Sequence, residues 1–223
     1  MRFVSLKQGF KSEVLDSVFD IDHFIEIESV RLTREKNYSN RDSRGRWWGH
    51  LPPNSYIKSF LGSVEELIYP ENVLEIGTCL AYSSSYILQS FFGCRLTSVD
   101  IRKQSISGII GIDLVLNKYP DRFTFVENDS KNLLSLFQEN TFDVCLIDGD
   151  HSYDMAMLDI ENCKKLKIPH LIVDNLSHPD VAKAVKDSNL ELILEGPYVN
   201  LKKIHADDDY EYHYDSLNLY RYE

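Results

Sequence analysis

Basic charge is in short supply. Only 24 Lys and Arg stand against 35 Asp and Glu, a formal net charge of −11. Such a surface repels a phosphate backbone, so no nucleic-acid partner is expected unless a local patch offsets it. The one basic cluster, Arg41 to Arg46, is broken by Asp42, Ser43 and Gly45 and reads as a solvated loop. Long apolar runs are missing as well. No stretch approaches the roughly 18 residues that span a bilayer, and the first residues carry no signal-peptide core. No membrane contact is therefore expected, and a reducing cytoplasm is the simplest compartment. The cysteines Cys79, Cys94, Cys145 and Cys163 form no C-x-x-C pair, which excludes the usual zinc spacing. Cys79 and Cys145 lie in or beside apolar runs, where a thiol behaves as a small hydrophobe. Internal repeats and low-complexity linkers are absent too.

What is present is an ordinary globular balance, 43% apolar and 26% charged over 223 residues, enough for one α/β domain with a sizeable core. Residues 1–50 are irregular and end in Trp47-Trp48-Gly49-His50. They read as an N-terminal extension, a candidate lid or a contact for substrate or a second subunit, with the domain proper over 51–223. After Pro52-Pro53-Asn54-Ser55, Ile57, Phe60, Leu61, Val64 and Leu67 follow at helical spacing. From Asn72 onward, short apolar strands alternate with helices. Strands are expected at 73–77, 96–100, 123–126, 142–147, 171–174, 190–194 and 217–222. The intervening helices are expected at 83–92, up to 116, and at 132–137, 155–165 and 181–186. That alternation implies α/β architecture, a mostly parallel, doubly wound seven-stranded sheet with helices on both faces. No helix separates the last two strands, so one of them is expected to run antiparallel at the edge.

Ligands of such sheets bind at the carboxyl ends of the strands. The first strand ends in Glu75-Ile76-Gly77-Thr78-Cys79-Leu80-Ala81-Tyr82-Ser83. Gly77 lets the backbone turn sharply and come close to a ligand, and the helix after it presents free N–H groups. The second strand ends in Asp100, placed to accept hydrogen bonds from a ribose diol. The fourth strand ends in Asp148-Gly149-Asp150-His151-Ser152-Tyr153 and the fifth in Asp174-Asn175. Two carboxylates and a carboxamide on adjoining strands suit a hard cation such as Mg²⁺, not zinc. The plainer alternative is that the same residues simply cap the helices that follow.

Taken together, VLEIGTCLAYSS, SVD, VENDS, FDVCLIDGDHSY and LIVDN resemble the class I S-adenosylmethionine-dependent methyltransferases, with their Rossmann-like fold. The likeness is greatest to the metal-dependent O-methyltransferase branch of catechol, caffeoyl-CoA and macrolide-sugar enzymes, over roughly residues 50 to 190. The resemblance implies that Glu75, Gly77, Thr78 and Ser83 hold the methionine part of S-adenosyl-L-methionine, with Tyr82 beside it. Asp100 would take the ribose, and Asp129 and Ser130 would flank the adenine. Asp148, Asp174 and Asn175 match the family's metal ligands, while Asp150 would meet the cofactor amine or orient His151. His151 stands where relatives carry a lysine base. An imidazole, with a pKa of about 6.5, accepts a hydroxyl proton without prior desolvation. Two departures stand out. Ala81 replaces the motif's second glycine, which a negative φ there would tolerate, and Lys167-Ile168-Pro169-His170 replaces a Gly-Gly turn.

The expectation is a methyltransferase acting on a small-molecule hydroxyl, with a homodimer open to it and Asp148 and His151 as catalytic residues. Trp47, Trp48, His50, Tyr198 and the acidic stretch 207–215 are candidates for acceptor recognition. A nicotinamide-dependent oxidoreductase is disfavoured by the missing G-x-G-x-x-G and Tyr-x-x-x-Lys patterns. A non-catalytic cofactor-binding module would have little reason to keep Asp148, His151, Asp174 and Asn175 together. His50, His170, His178 and His205 carry no pattern that singles them out.

Overall fold

Helix and strand alternate from Ser55 onward in a computed structural model that describes residues 55–79, 81–101, 106–200 and 214–222. The readings made on residues 1–54, on His205 and on 207–213 lie outside the described residues. In chain order the elements are α1 (Ser55–Ile68), β1 (Asn72–Ile76), α2 (Tyr82–Ser90), β2 (Arg95–Asp100), α3 (Ile106–Lys118) and β3 (Phe123–Glu127). A 3-10 turn (Ser130–Asn132) leads into α4 (Leu133–Leu136). There follow β4 (Val144–Ile147), α5 (Tyr153–Lys165), β5 (His170–Val173), α6 (Pro179–Asp187), β6 (Leu190–Asn200) and β7 (Tyr214–Tyr222).

The seven strands lie in the order β3-β2-β1-β4-β5-β7-β6. β1 pairs in parallel with β2 on one side and β4 on the other, with Ile76 opposite both Val99 and Ile147. Strand order reverses at β1, so the carboxyl ends of β1 and β4 form the switch point where such sheets bind ligands. β4 and β5 are parallel, with Ile147 opposite Val173, which brings Asp148 and Asp174 to neighbouring strand ends. β7 is antiparallel to both β5 and β6. The antiparallel strand is thus an inner one, contrary to the expected edge position. β6 and β7 pair as antiparallel neighbours, with β7 lying between β5 and β6.

Alternation along each strand divides the core. Val73, Leu96, Val144, Leu146 and Ile172 pack with α1, α2 and α3 on one face. Leu74, Ile76, Val99, Cys145, Ile147, Leu171 and Val173 pack with α5 and α6 on the other. Burying each such side chain contributes about 1.5–3 kcal/mol. α1 buries Ile57, Phe60, Leu61 and Val64 as its spacing predicts, but Leu67 is 55% exposed and Ile68 packs on the core instead. Where a Gly-Gly turn is missing, α5 closes with Lys167 at φ +56, a left-handed position after the helix end with Ile168 N–H donating back to the Cys163 carbonyl. Among the described residues no helix is long and apolar enough to cross a membrane.

Candidate active site

The turn after β1 is closely packed against β4. Gly77 has φ +94, and a Cβ built on it would lie 1.9 Å from the Asp148 carbonyl oxygen. Only a residue without a side chain lets β1 and β4 approach so closely at this conformation. Its N–H donates to the Val99 carbonyl at 2.9 Å. Thr78 and Cys79 donate their backbone N–H groups to Asp100 Oδ2 at 2.9 and 2.8 Å. The carboxylate expected to meet a ribose therefore also anchors the glycine turn. Ala81 sits at φ +62 and Cys79 at φ +44, so the negative φ that would tolerate alanine at 81 is not the one adopted. The chain closes a short loop, with Ala81 N–H donating to the Thr78 carbonyl at 2.7 Å, and turns left-handed before the helix begins. A left-handed residue bearing a Cβ costs roughly 1–2 kcal/mol. The Ala81 methyl is fully buried in the α2 face of the core.

Glu75 is fully buried beneath this turn. Its Oε2 accepts the Ser84 hydroxyl at 2.5 Å and the Ser98 hydroxyl. The buried Thr78 hydroxyl lies 2.5 Å from Ser98 Oγ. Burial pushes the Glu75 carboxyl up from 4.5 to about 7; the Ser83, Ser84 and Ser98 hydroxyls pull against that rise and the Asp148 charge adds to it. Tyr82 and Ser83 are buried at the start of α2. A folded-state pKa above the unfolded one means that the native state holds the extra proton. The corresponding stability is present below the unfolded pKa and is lost as pH rises through about 7. Between pH 5 and 8 the parent should lose about 2–3 kcal/mol through this group. Urea unfolding at several pH values checks it: Glu75→Gln should remove that part of the slope, and an unchanged slope would assign it elsewhere.

The other strand ends carry the remaining candidates. Asp129 caps the 3-10 turn, its carboxylate accepting the Lys131 N–H at 2.9 Å; Ser130 follows, half-buried. Asp150 accepts the Ser152 N–H at 2.8 Å; the Ser152 hydroxyl, and after it this backbone bond, hold its pKa below the ordinary carboxylate value. Asp150 is thus the polar group at the start of α5. His151 is exposed, with Nε2 3.9 Å from Asp148 Oδ1. Asp174 is buried at the end of β5, its N–H donating to the Ile147 carbonyl. Asn175 has φ +56, a conformation asparagine tolerates well, and its carbonyl accepts the His178 N–H at 2.8 Å. Among the described residues no three His, Cys, Asp or Glu side chains close into a metal-holding group.

Two residues of this region went unread in the sequence. His178 caps α6 through Nδ1, and its ring lies 5.8 Å from that of His151. Pro179 at the first helical position was the available sign that residue 178 is a cap. Asp159, on α5, is 1% exposed. Ala156, Asp159, Ile160 and Cys163 are all buried, and their helical spacing in the sequence already puts an acid on an apolar stripe.

Residues 74–173 match the family model described as a methyltransferase domain, a span that runs from β1 to the end of β5. Over that span the chain is similar to a methyltransferase domain. Among solved structures it is similar to cofactor-bound Rv0187 from MTB, with 14% identity and a TM-score of 0.63, covering 96% of this chain and 92% of that one. It is also similar to the O-methyltransferase from Bacillus cereus in complex with SAH, at 17% identity and TM-score 0.58, covering 95% and 98%. TomG from Streptomyces achromogenes, an O-methyltransferase of tomaymycin synthesis solved with SAM, matches at 17% and 0.58, covering 95% and 90%. At these identities the likeness is one of fold. No curated protein matches the chain by sequence.

Proposed function

We propose that this chain transfers the methyl group of S-adenosylmethionine to a hydroxyl of a small molecule, with His151 as the group that takes the hydroxyl proton. The observation that carries the reading is the exposed His151 ring. It lies 3.9 Å from Asp148, on the residue run that packs against the Gly77 turn. The acceptor oxygen forms a bond to the methyl carbon as the C–S bond breaks. The electron pair of that bond stays on sulfur, leaving S-adenosylhomocysteine, and the acceptor proton goes to the imidazole. The Asp148 carboxylate stabilises the imidazolium that results.

Glu75, Gly77, Thr78, Tyr82 and Ser83 surround the methionine end in this reading. Asp100 meets the ribose, and Asp129 and Ser130 stand at the adenine. Asp148, Asp174 and Asn175 have the donor chemistry to hold Mg²⁺, and such an ion, when bound, lowers the pKa of an acceptor hydroxyl. The net charge of −11 supports an acceptor other than nucleic acid.

A thermal-shift comparison tests the cofactor side. S-adenosylmethionine or S-adenosylhomocysteine should raise the melting temperature and NAD should not, because only a ligand of the native state stabilises it. A shift with NAD alone would favour the oxidoreductase reading. Asp100→Ala should weaken S-adenosylhomocysteine binding by about 1–3 kcal/mol, since it removes both a ribose acceptor and the anchor of the glycine turn. Calorimetry showing unaltered affinity would remove Asp100 from the site. Transfer of labelled methyl to hydroxyl-bearing small molecules, with and without Mg²⁺, tests the acceptor class.

A further inference from the structure

The last two strands outrun the sheet they belong to. β7 leaves β5 at the pair Val173–Asn218, but its pairing with β6 continues until Asn200 stands opposite Tyr214. Residues 214–217 therefore rise past the carboxyl end of β5 as an arm about 13 Å long at the usual strand spacing. The arm stands beside the strand that ends in Asp174 and Asn175, and β4, with Asp148 and His151 after it, is the next strand but one. Where the arm leaves the sheet, β6 carries a bulge. Glu195 pairs with Asn218 and Tyr198 with Ser216, so Gly196 and Pro197 together face Leu217. A Cβ on Gly196 would lie 1.7 Å from the Leu217 carbonyl oxygen and 3.0 Å from Phe60 Cδ2 of α1. The bulge is thus pressed between β7 and α1. An extra residue interrupts the backbone ladder and bends the strand. The Gly196 N–H finds its acceptor in a side chain instead, Asn218 Oδ1 at 2.9 Å. The Asn218 amide in turn donates to the hydroxyl of Tyr220 at 3.1 Å.

We propose that Asn218 is a positioning residue for the acceptor site: by holding the Gly196 N–H it fixes the angle of the β6–β7 arm, and the arm limits the size of the group that fits beside His151. The inference rests on the proposed methyl transfer and deepens it by naming what bounds the acceptor. Ligands of such a sheet meet at the β1–β4 switch point. With the methyl donor over Gly77 and Asp100, on the β1–β2 side, the acceptor has the half of the edge over β4 and β5, and the arm stands at the far side of that half. A bulge aims a strand in one direction when the N–H it frees from the ladder is held. Without Asn218 Oδ1 that N–H turns to water, and the bend at Gly196 loses the bond that fixes it.

The probes are S-adenosylhomocysteine and two analogues with nitrogen in place of its sulfur, carrying a benzyl or a biphenylmethyl group where the methyl would sit. Both groups enter the acceptor space whatever the natural acceptor is. By calorimetry the full-length parent should bind the benzyl analogue roughly tenfold or more tightly than the biphenylmethyl one. Asn218→Ala should bring the two within about threefold of each other while S-adenosylhomocysteine binds as it does to the parent. Hydrogen exchange of the same variant should open the amides of residues 198–200 and 214–217 roughly tenfold faster, with those of β5 still protected. Asn218→Asp should restore both readouts, because its carboxylate still accepts the Gly196 N–H. Asn218→Leu, which refills the volume, decides the matter if the alanine variant does not fold. Unchanged exchange in the arm overturns the proposal, and so does faster exchange with the size preference intact. A parent without the preference, or a variant that loses S-adenosylhomocysteine as much as the analogues, overturns it too; each of these leaves the methyltransferase reading standing. A parent that binds none of the three ligands overturns both.

Discussion

His151→Ala is expected to lower methyl transfer about 10²–10⁴-fold while S-adenosylhomocysteine binds nearly as tightly as to the parent. The split follows from where the ring stands. His151 is on the β4–α5 loop, exposed to solvent and 3.9 Å from Asp148 Oδ1, and it is Asp150 that accepts the N–H of Ser152, the residue before α5. Removing the imidazole therefore disturbs neither the helix start nor the turn at Gly77. If the ring serves only as surface, turnover should stay within a few-fold of the parent. Added imidazole supplies a readout that a structural role would not move. A free base small enough to occupy the space left by the side chain should restore part of the turnover in His151→Ala and leave the parent unaffected. A loss of cofactor affinity as large as the loss of rate would instead make His151 a cofactor contact. A parent that binds S-adenosylmethionine but keeps its rate in the alanine variant would pass the proton to another group, with His178, 5.8 Å away ring to ring, the next to test.

How far the sequence could be read depends on what each residue had to satisfy. Strands such as Val73-Leu74-Glu75-Ile76 are buried on both faces, so a plain apolar run between turn residues is enough to identify them. Their parallel order follows from the helices between them, and it brings Gly77, Asp100, Asp148 and Asp174 to one edge of the sheet. The sheet position of β7 was less legible, because an antiparallel hairpin can add outside a strand or fold back inside it with the same side-chain pattern. Backbone conformation was hidden for a different reason. Ala81 and Cys79 take left-handed φ values that alanine and cysteine do not advertise; the closure of the Thr78–Ala81 loop imposes them. Buried polar chemistry was hidden because it depends on contacts between distant segments. Glu75 is read easily as a motif residue, but its bonds come from Ser84 and Ser98, one on the next helix and the other on the next strand. The pattern around Asp159 was readable in principle. An acid on the apolar stripe of a helix is a local rule broken, and such breaks gather at functional sites.

Gly77→Ala is expected to be severely damaging for a single methyl. Two independent costs add at this position. An L residue at φ +94 leaves its preferred backbone region, at roughly 1–2 kcal/mol. Its Cβ also meets the Asp148 carbonyl oxygen at 1.9 Å and the Asp148 carbonyl carbon at 2.6 Å. Both are backbone atoms, so no rotamer change relieves the contact and the ends of β1 and β4 must move apart. Overpacking of this kind costs about 1–3 kcal/mol, which brings the total to roughly 2–5 kcal/mol. Separation of these strand ends does more than destabilise. The Asp148 N–H donates to the Ile76 carbonyl at 2.9 Å, and the Thr78 and Cys79 N–H groups hold Asp100, so the same displacement loosens Asp148 and Asp100 together. Urea unfolding should show the stability loss, and calorimetry on the fraction that stays folded should show S-adenosylhomocysteine bound at least tenfold more weakly. Gly93 gives the internal control. It has φ +85 but no atom within 4 Å of a built Cβ, so Gly93→Ala carries the backbone cost without the clash and should lose only about 1–2 kcal/mol with cofactor affinity intact. Equal losses at the two glycines would mean that the β1–β4 approach is not what Gly77 provides, and the close-packed turn would no longer explain how the cofactor site is formed.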